Sequence, residues 1–479
     1  MPSTAGPVPA SRVDPVMTVR TCVVLIAVFA ASCTAAEPST TTDASTTTEA
    51  STTTVVQPTT TSTEPSLYEV PAEDEALAWA EDALIVTGGT VIDGSGAAPI
   101  IDGLVALRDG RVLAVGRVAD FSFSSDAHVF DVAGGTILPG FIDSHQHETA
   151  GPVVRREFLE GGVTSVCSMG SRIEAMARYE EEFLGDLPIA RGFQAGPIMT
   201  APGGLPDLVL HLGYNYEVAT AGEARAGVAD LVERGADVIK VYLYPSPWND
   251  QPIPVLDEDR LEAIVDEAHG RGVLVRAHIT DVSVLEMALM AGVDVVDHVP
   301  WLKPSEEEVA GILDSDDPIR ELADMLAASN SEALLKSMVE TDTVLVPSLE
   351  RGIAANFSPG SASAVIELYL DSVRQFHQAG GIIALGTDFN VGFGMTRGIP
   401  IGELQLLLDA GLTPMEVIET ATRYAARACG HEDEVGTLEP GKLGDLIVVP
   451  GNPLQDINAL SQISLVVKDG MIAYQPEGS

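Results

Sequence analysis

The stretch Gly135-Thr-Ile-Leu-Pro-Gly-Phe-Ile-Asp-Ser-His-Gln-His147 passes from apolar to polar within a few residues. Ile137, Leu138, Phe141 and Ile142 read as a buried strand, and Asp143, His145 and His147 stand at its carboxyl end. Strand side chains alternate with period 2, so the two imidazoles are expected on one side. Neutral imidazoles sharing a face suit a divalent transition metal. Taken alone, the pair reads more readily as a polar turn after a core strand. Its meaning rests on what stands at the other strand ends.

Outward from this stretch, strand and helix signals alternate. Candidate strands are 137–142, 163–168, 189–194, 237–243, 273–278, 293–298, 343–348 and 382–387. Helical periodicity lies between them, as in Leu261, Ile264, Val265 and Ala268, and Thr413-Pro-Met-Glu416 opens a later helix with a capping box. Eight strands with intervening helices over residues 138–435 suit an α/β fold of the (β/α)8 TIM-barrel type, which usually takes about 250 residues. A doubly wound sheet is the alternative architecture.

The flanks have a different vocabulary. Ala83-Leu-Ile-Val-Thr, Thr90-Val-Ile, Leu104-Val-Ala-Leu-Arg and Arg111-Val-Leu-Ala-Val are short strand runs, and Asp109-Gly110 between two of them marks a hairpin. Asp445-Leu-Ile-Val-Val and Leu465 to Tyr474, with Asp469-Gly470, repeat the pattern at the far end. Neither flank has strands enough for a sheet of its own, so residues 67–137 and 436–479 are expected to build one small β-sandwich together.

Residues 22–32 are an apolar run shorter than the about 20 residues of a membrane span and suited to the core of a signal peptide within residues 1–33. Ala30-Ala-Ser-Cys33 resembles the lipobox of bacterial lipoproteins, which implies a lipid anchor on Cys33 and a cell-surface or secreted protein. Residues 34–66 are Thr- and Ser-rich and read as a disordered tether. The net charge of -44, from 70 acidic and 26 basic residues, disfavours nucleic acid and anionic lipid surfaces as partners and does not itself identify the expected small-molecule substrate. Cysteines 22, 33, 167 and 429 show no paired spacing, and no disulfide framework is expected.

The remaining polar candidates also fall at strand carboxyl ends, where barrels keep their active sites. They are Lys240 in Val238-Ile-Lys-Val-Tyr, His278 in Val275-Arg-Ala-His, His298 in Val295-Val-Asp-His and Asp388 in Ile383-Ala-Leu-Gly-Thr-Asp. Singly, each is an ordinary core histidine, a capping acid or a snorkelling lysine. With His145 and His147 they make six such residues on five strands, which points to a site.

With these residues the chain resembles the amidohydrolase superfamily, in its binuclear, carboxylated-lysine branch with dipeptidase-like and imidazolonepropionase-like members. The likeness runs from residue 83 to 476 through Leu138-Pro-Gly-Phe-Ile-Asp-Ser-His-Gln-His, Gly235-Ala-Asp-Val-Ile-Lys240, Ala277-His278, Gly386-Thr-Asp388, Ala421-Thr-Arg-Tyr-Ala-Ala-Arg and Gly436-Thr-Leu-Glu-Pro-Gly-Lys-Leu-Gly-Asp445. The resemblance implies that His145, His147 and Asp388 bind one divalent metal, that His278 and His298 bind a second, and that a carbamate on Lys240 bridges them. Zinc suits the nitrogen and oxygen donors. Tyr242-Leu-Tyr-Pro-Ser-Pro-Trp248 departs from the more glycine-rich sequence of many relatives, and the connection after His147 is short.

The chemistry of these parts is consistent with that implication. A carbamate turns Lys240 from a metal-repelling cation into an anion whose two oxygens span ions about 3.5–4 Å apart. The apolar run around Lys240 favours the free amine that such a modification needs. Two metals would generate a metal-bound hydroxide and polarise a carbonyl, with Asp388 moving the proton. Hydrolysis of an amide, small peptide or cyclic amide is the expected activity. A lactonase or esterase using the same site, and a catalytically silent binding lipoprotein, are the alternatives. Asp143 is a candidate acceptor for the metal-binding imidazoles, or a turn cap. Tyr242, Tyr244, Trp248 and His211 are candidate substrate contacts, and Trp301, Arg351 and Asn390 lie in similar loops.

Overall fold

The computed structural model describes residues 83–122, 127–147, 149–245, 253–300, 311, 332–356, 363–388 and 397–476. The signal-peptide, lipobox and linker readings, with Trp248, Trp301 and Asn390, lie outside the described residues. Cys167 and Cys429 are buried free thiols.

The first flank supplies β1 (Leu84–Val91), β2 (Ile100–Arg108), β3 (Arg111–Arg117), β4 (His128–Asp131) and β5 (Thr136–Pro139). The middle of the chain supplies β6 (Phe141–Gln146), β7 (Val163–Ser168), a short hairpin of β8 (Phe183–Leu184) and β9 (Leu187–Pro188), β10 (Arg191–Gln194), β11 (Ile198–Thr200), β12 (Asn215–Glu217), β13 (Val238–Leu243), β14 (Leu274–Ile279), β15 (Val295–Asp297) and β16 (Val344–Val346). The last flank adds β17 (Leu446–Val449), β18 (Leu465–Lys468) and β19 (Met471–Tyr474).

Both flanks share one eight-stranded sheet of order β19-β18-β17-β5-β1-β2-β3, with β4 alongside β1. The two Asp-Gly pairs are its tight hairpins: Asp109 and Gly110 have φ of 53° and 79°, Asp469 and Gly470 49° and 71°. Positive φ at both turn residues matches the right-handed twist of the strands they join. Along β1 and β2, Val86, Val105 and Leu107 bury one face, and Ile85, Leu104 and Ala106 the other. β1 pairs β4 through Leu84–Thr87 and β5 through Thr90–Val91, with register shifts around Gly89. Gly88, at φ 84°, lies in the left-handed region that favours glycine, beside the place where the strand changes partners.

The middle strands pair in parallel, as β10-β7-β6 and β12-β11-β13-β14-β15-β16. Helices between them, such as Ala221–Glu233 and Glu258–Gly270, bury apolar stripes including Val228, Leu231, Leu261, Ile264 and Val265. Thr413 and Glu416 form the expected capping box at Pro414–Thr420. The largest core joins these helices to the strands, with Phe141, Phe158, Val241, Val275, Leu345 and Phe376 among its members.

Two expected strands differ. The run 137–142 is two elements: β5 belongs to the flank sheet and β6 to the parallel one. Pro139 has no donor to extend a ladder, and the N–H of Gly140 donates to Asp445 O, whereas that of Phe141 donates to Gly162 O. The segment 382–387 is no ladder strand and holds one parallel bridge, Leu345 to Ile383. Ala384 N–H donates to Leu345 O on β16, but the next donors turn away, Leu385 N–H to Thr420 O and Thr387 N–H to the Asp143 carboxylate. Ser144 N–H donates to Leu385 O, so the segment still lies between β16 and β6.

Candidate metal centre

β6 ends at Gln146, and the histidines on either side of that residue face one cavity. The His145 and His147 ring centroids are 5.4 Å apart, and Nε2 of each approaches Asp388 Oδ1, at 3.9 and 3.4 Å. The N–H of Asp388 donates to His145 O at 2.8 Å, which sets that carboxylate beside the end of β6.

β13 and β14 pair Lys240 with Arg276 and Tyr242 with His278. Period 2 places Lys240 and Tyr242 on one face, in successive layers, with Arg276 and His278 beside them. Tyr242 stacks on His278 at 4.0 Å and 10°, and His278 meets His298 edge to face at 4.6 Å.

Asp297 and His298 are neighbours on or just past β15, and regular strand geometry would send them to opposite faces. Both touch His145: Asp297 Oδ1 lies 3.0 Å from Nδ1, and the His298 ring centroid is 5.0 Å from that of His145. The left-handed backbone of His298, φ 71°, turns its side chain back into the cavity. Asp388, φ 48°, and Ser348, φ 48°, show the same conformation at neighbouring strand ends. Such backbones are uncommon for non-glycine residues and collect at functional sites.

Electrostatics follow from burial. Desolvation lowers the pKa of His145 to about 4 and of His298 to about 3, and takes His278 well below its ordinary value. All three are neutral at pH 7, each with a lone pair to give. Burial also lowers the Lys240 pKa against the pull of Asp297, whose Oδ2 its Nζ contacts. Burial would raise the pKa of Asp388, but the His147 hydrogen bond and the charge of Arg351 act against it and keep the carboxylate ionised. Ligand atoms of His145, His298 and Asp388 all lie within 4.8 Å of one another, a spacing and donor set that fit a divalent cation.

The other candidates separate. Tyr242 lies in the cavity, and Tyr244 is buried beside it with Leu205 and Ile253. His211 does not join them: it is exposed at the C-cap of the short helix Asp207–Leu210, and among the described residues no hydrogen bond, ion pair or ring contact ties it to the site. A loop of few residues gives a side chain no fixed direction in sequence, which is why its position was not legible.

Asp143 holds no imidazole ring. Its carboxylate accepts from Thr387 N, Thr387 Oγ1, the Gln146 amide and His145 N, fastening 387 to the end of β6. Burial raises its pKa to about 6. Asp297 takes the role expected of it. Asp297 and Arg276 were missed because an acid and an arginine inside apolar strands carry no motif. Their presence in Val275-Arg and Val296-Asp was the available signal, since a charge at a core position needs a partner.

The sequence model of the amidohydrolase family matches residues 136–473. The imidazolonepropionase of Symbiobacterium thermophilum is 27% identical over 405 residues, covering 77% of this chain and 91% of that protein. The crystal structure of a Xaa-Pro dipeptidase superposes with a TM-score of 0.64 at 24% identity, covering 82% of this chain and all (100%) of that one. The structure of A. niger ochratoxinase gives 0.65 at 22% identity, covering 83% and 97%. The two structural likenesses are likenesses of fold, of the TIM-barrel-like α/β type.

Proposed function

The chain belongs to the amidohydrolase family and is a hydrolase, and on that premise we propose that it cleaves the C–N bond of an amide, small peptide or cyclic amide at the cavity lined by His145, His147, Lys240, His278, His298 and Asp388. The observation that carries this reading is the convergence of the ligand atoms of His145, His298 and Asp388 within 4.8 Å. His145, His147 and Asp388 would hold one divalent ion, and His278 and His298 a second, with a carbamate on Lys240 shared between them. Zinc is the proposed metal, given nitrogen and oxygen donors. When bound, such ions polarise a carbonyl and acidify water.

The chain's own groups supply the rest. Buried neutral imidazoles are ready donors at pH 7. The ionised Asp388 carboxylate is placed to take a proton and return it to the departing nitrogen. Tyr242, stacked on His278, and Tyr244, packed against Leu205 and Ile253, are the proposed substrate contacts.

We read the fold that carries this site as a closed (β/α)8 barrel with a small β-sandwich from both flanks. The Ser144 N–H donated to Leu385 O and the Asp388 N–H donated to His145 O support closure, and the change of partners along β1 supports a sheet in two layers. Export and anchoring at Cys33 remain part of the proposal on the strength of residues 22–33, and mass spectrometry of the mature N-terminus tests them. For the activity, purified zinc-loaded protein is assayed against dipeptides, N-acyl amino acids, cyclic amides and lactones, before and after chelation. Chelator-sensitive turnover of a C–N substrate is expected. Turnover confined to lactones, or unaffected by metal removal, would sink the reading.

A further inference from the structure

Arg276 and Asp297 are wholly buried, at 0% exposure, and neither belongs to the ligand set. Burying a guanidinium and a carboxylate carries a desolvation cost that the pair's attraction offsets only with good geometry and full hydrogen bonding, so the arrangement calls for an explanation. Arg276 Nη2 donates to Asp297 Oδ1 at 2.5 Å, and Nη1 donates to Ser144 O at 2.7 Å and to Ala428 O at 3.2 Å. Ser144 immediately precedes His145. The same Asp297 Oδ1 stands 3.0 Å from His145 Nδ1, and Oδ2 contacts Lys240 Nζ.

His145 is thus held from two directions. Its backbone is set through the Ser144 carbonyl, and its ring through Asp297. An ionised carboxylate only accepts, so Nδ1 must carry the proton and Nε2 is left with its lone pair toward the cavity and Asp388. Lys240 is set by the other oxygen of the same carboxylate. A lysine carbamate keeps one N–H, so Oδ2 can receive a hydrogen bond from the modified nitrogen as it does from the unmodified one.

We propose that the Arg276–Asp297 pair is the positioning device of the metal centre, fixing the tautomer and orientation of His145 and the place of the Lys240 nitrogen together. The inference rests on the metal-site reading above and concerns residues that touch neither substrate nor metal. Outer partners of metal-binding histidines typically govern about 10–100-fold in metal affinity.

The test uses the full chain stripped of metal, with Zn2+ as the probe in competition with a chromophoric chelator, and circular dichroism to verify folding. Asp297→Asn and Arg276→Met should each weaken Zn2+ binding about 10–100-fold, and the double variant should lose less than the product of the two, because they act as one unit. Independently of any variant, two-bond 15N–1H spectra of the metal-free wild type should show His145 protonated at Nδ1. Folded variants that bind Zn2+ within about threefold of wild type, or a His145 protonated at Nε2, overturn the inference. A wild-type chain that binds no Zn2+ overturns the metal-centre reading itself and this inference with it.

Discussion

The backbone N–H of Asp388 donates to the carbonyl of His145 at 2.8 Å, joining the two ends of the candidate site although 243 positions separate them in sequence (388 − 145). That bond belongs to the backbone and does not depend on the Asp388 carboxylate. Asp388→Asn should therefore keep the fold and the position of residue 388, while removing the ionised carboxylate. Loss of a proton-transfer group lowers kcat by about 10²–10⁴-fold. Steady-state kinetics with a thermal melt check this, and an Asn variant within threefold of wild type would show that Asp388 moves no proton.

Lys240 separates the functional and bland readings of one residue. A snorkelling lysine could be replaced by alanine at a cost within about 0.5 kcal/mol, as at ordinary surface positions. Lys240 is instead 2% exposed and lies against Asp297. Lys240→Ala should lose the second metal and most of the rate, and short carboxylic acids should restore part of both by entering the vacated space. Lys240→Arg should not recover, because guanidinium stays charged and forms no carbamate. Metal content by elemental analysis and labelling of Lys240 with 13C-bicarbonate are the measurements. Full metal content in Lys240→Ala would disprove the bridging role.

Stability should carry the mark of the neutral histidines. Burial places His298 at about 3 and His145 at about 4, against about 6.5 in an unfolded chain. Between those values the unfolded chain binds protons that the folded one refuses, so these residues' contribution is whole above about pH 6.5 and is lost as the pH falls toward about 3. In metal-free protein, His298→Gln should reduce the slope of unfolding free energy against pH by up to about 1.36 kcal/mol per pH unit between about pH 6 and 4. Urea titrations at stepped pH read this directly, and parallel slopes for the two proteins would contradict it.

Arg191, on β10, ties the parallel strands to the last flank. Its Nη2 lies 3.2 Å from Asp445 Oδ2 and 2.6 Å from Asp469 Oδ1. Removing one partner of a buried pair costs about 3–5 kcal/mol. The Arg191 side chain keeps 19% exposure, so Arg191→Met should cost less, about 2 kcal/mol. The urea midpoint at pH 7 measures the loss, which should shrink in acid as the Asp469 carboxylate protonates. An unchanged midpoint would mean that the pair does not hold the flank.

Local physics was legible along the chain. Asp109-Gly110 and Asp469-Gly470 announce their hairpins through turn chemistry. Thr413 and Glu416 announce a capping box three residues apart. The alternation of Val238-Ile-Lys-Val-Tyr is enough to put Lys240 and Tyr242 on one face. The six polar residues at strand ends were readable for the same reason, because each departs from an apolar run that a strand of period 2 explains.

What sequence could not supply depends on residues brought together from far apart. Asp143 and its partner Thr387 are 244 positions apart, and His145 and Asp297 are 152 apart. A side chain's hydrogen-bond partner is chosen by the closed structure, so Asp143, by sequence an imidazole acceptor or a turn cap, takes the backbone N–H of His145 while Asp297 takes its ring. The division at Pro139-Gly140 and the irregular eighth segment have the same origin. Competing partners for a few backbone N–H groups, Asp445, Gly162, Thr420 and the Asp143 carboxylate, appear only once the sheets have met. By itself the sequence determined that polar residues interrupt apolar runs at the strand ends, and the alternation that puts Lys240 and Tyr242 on one face. Tertiary structure decided how they are held there, because a buried charge or an unsatisfied donor takes the nearest partner in space.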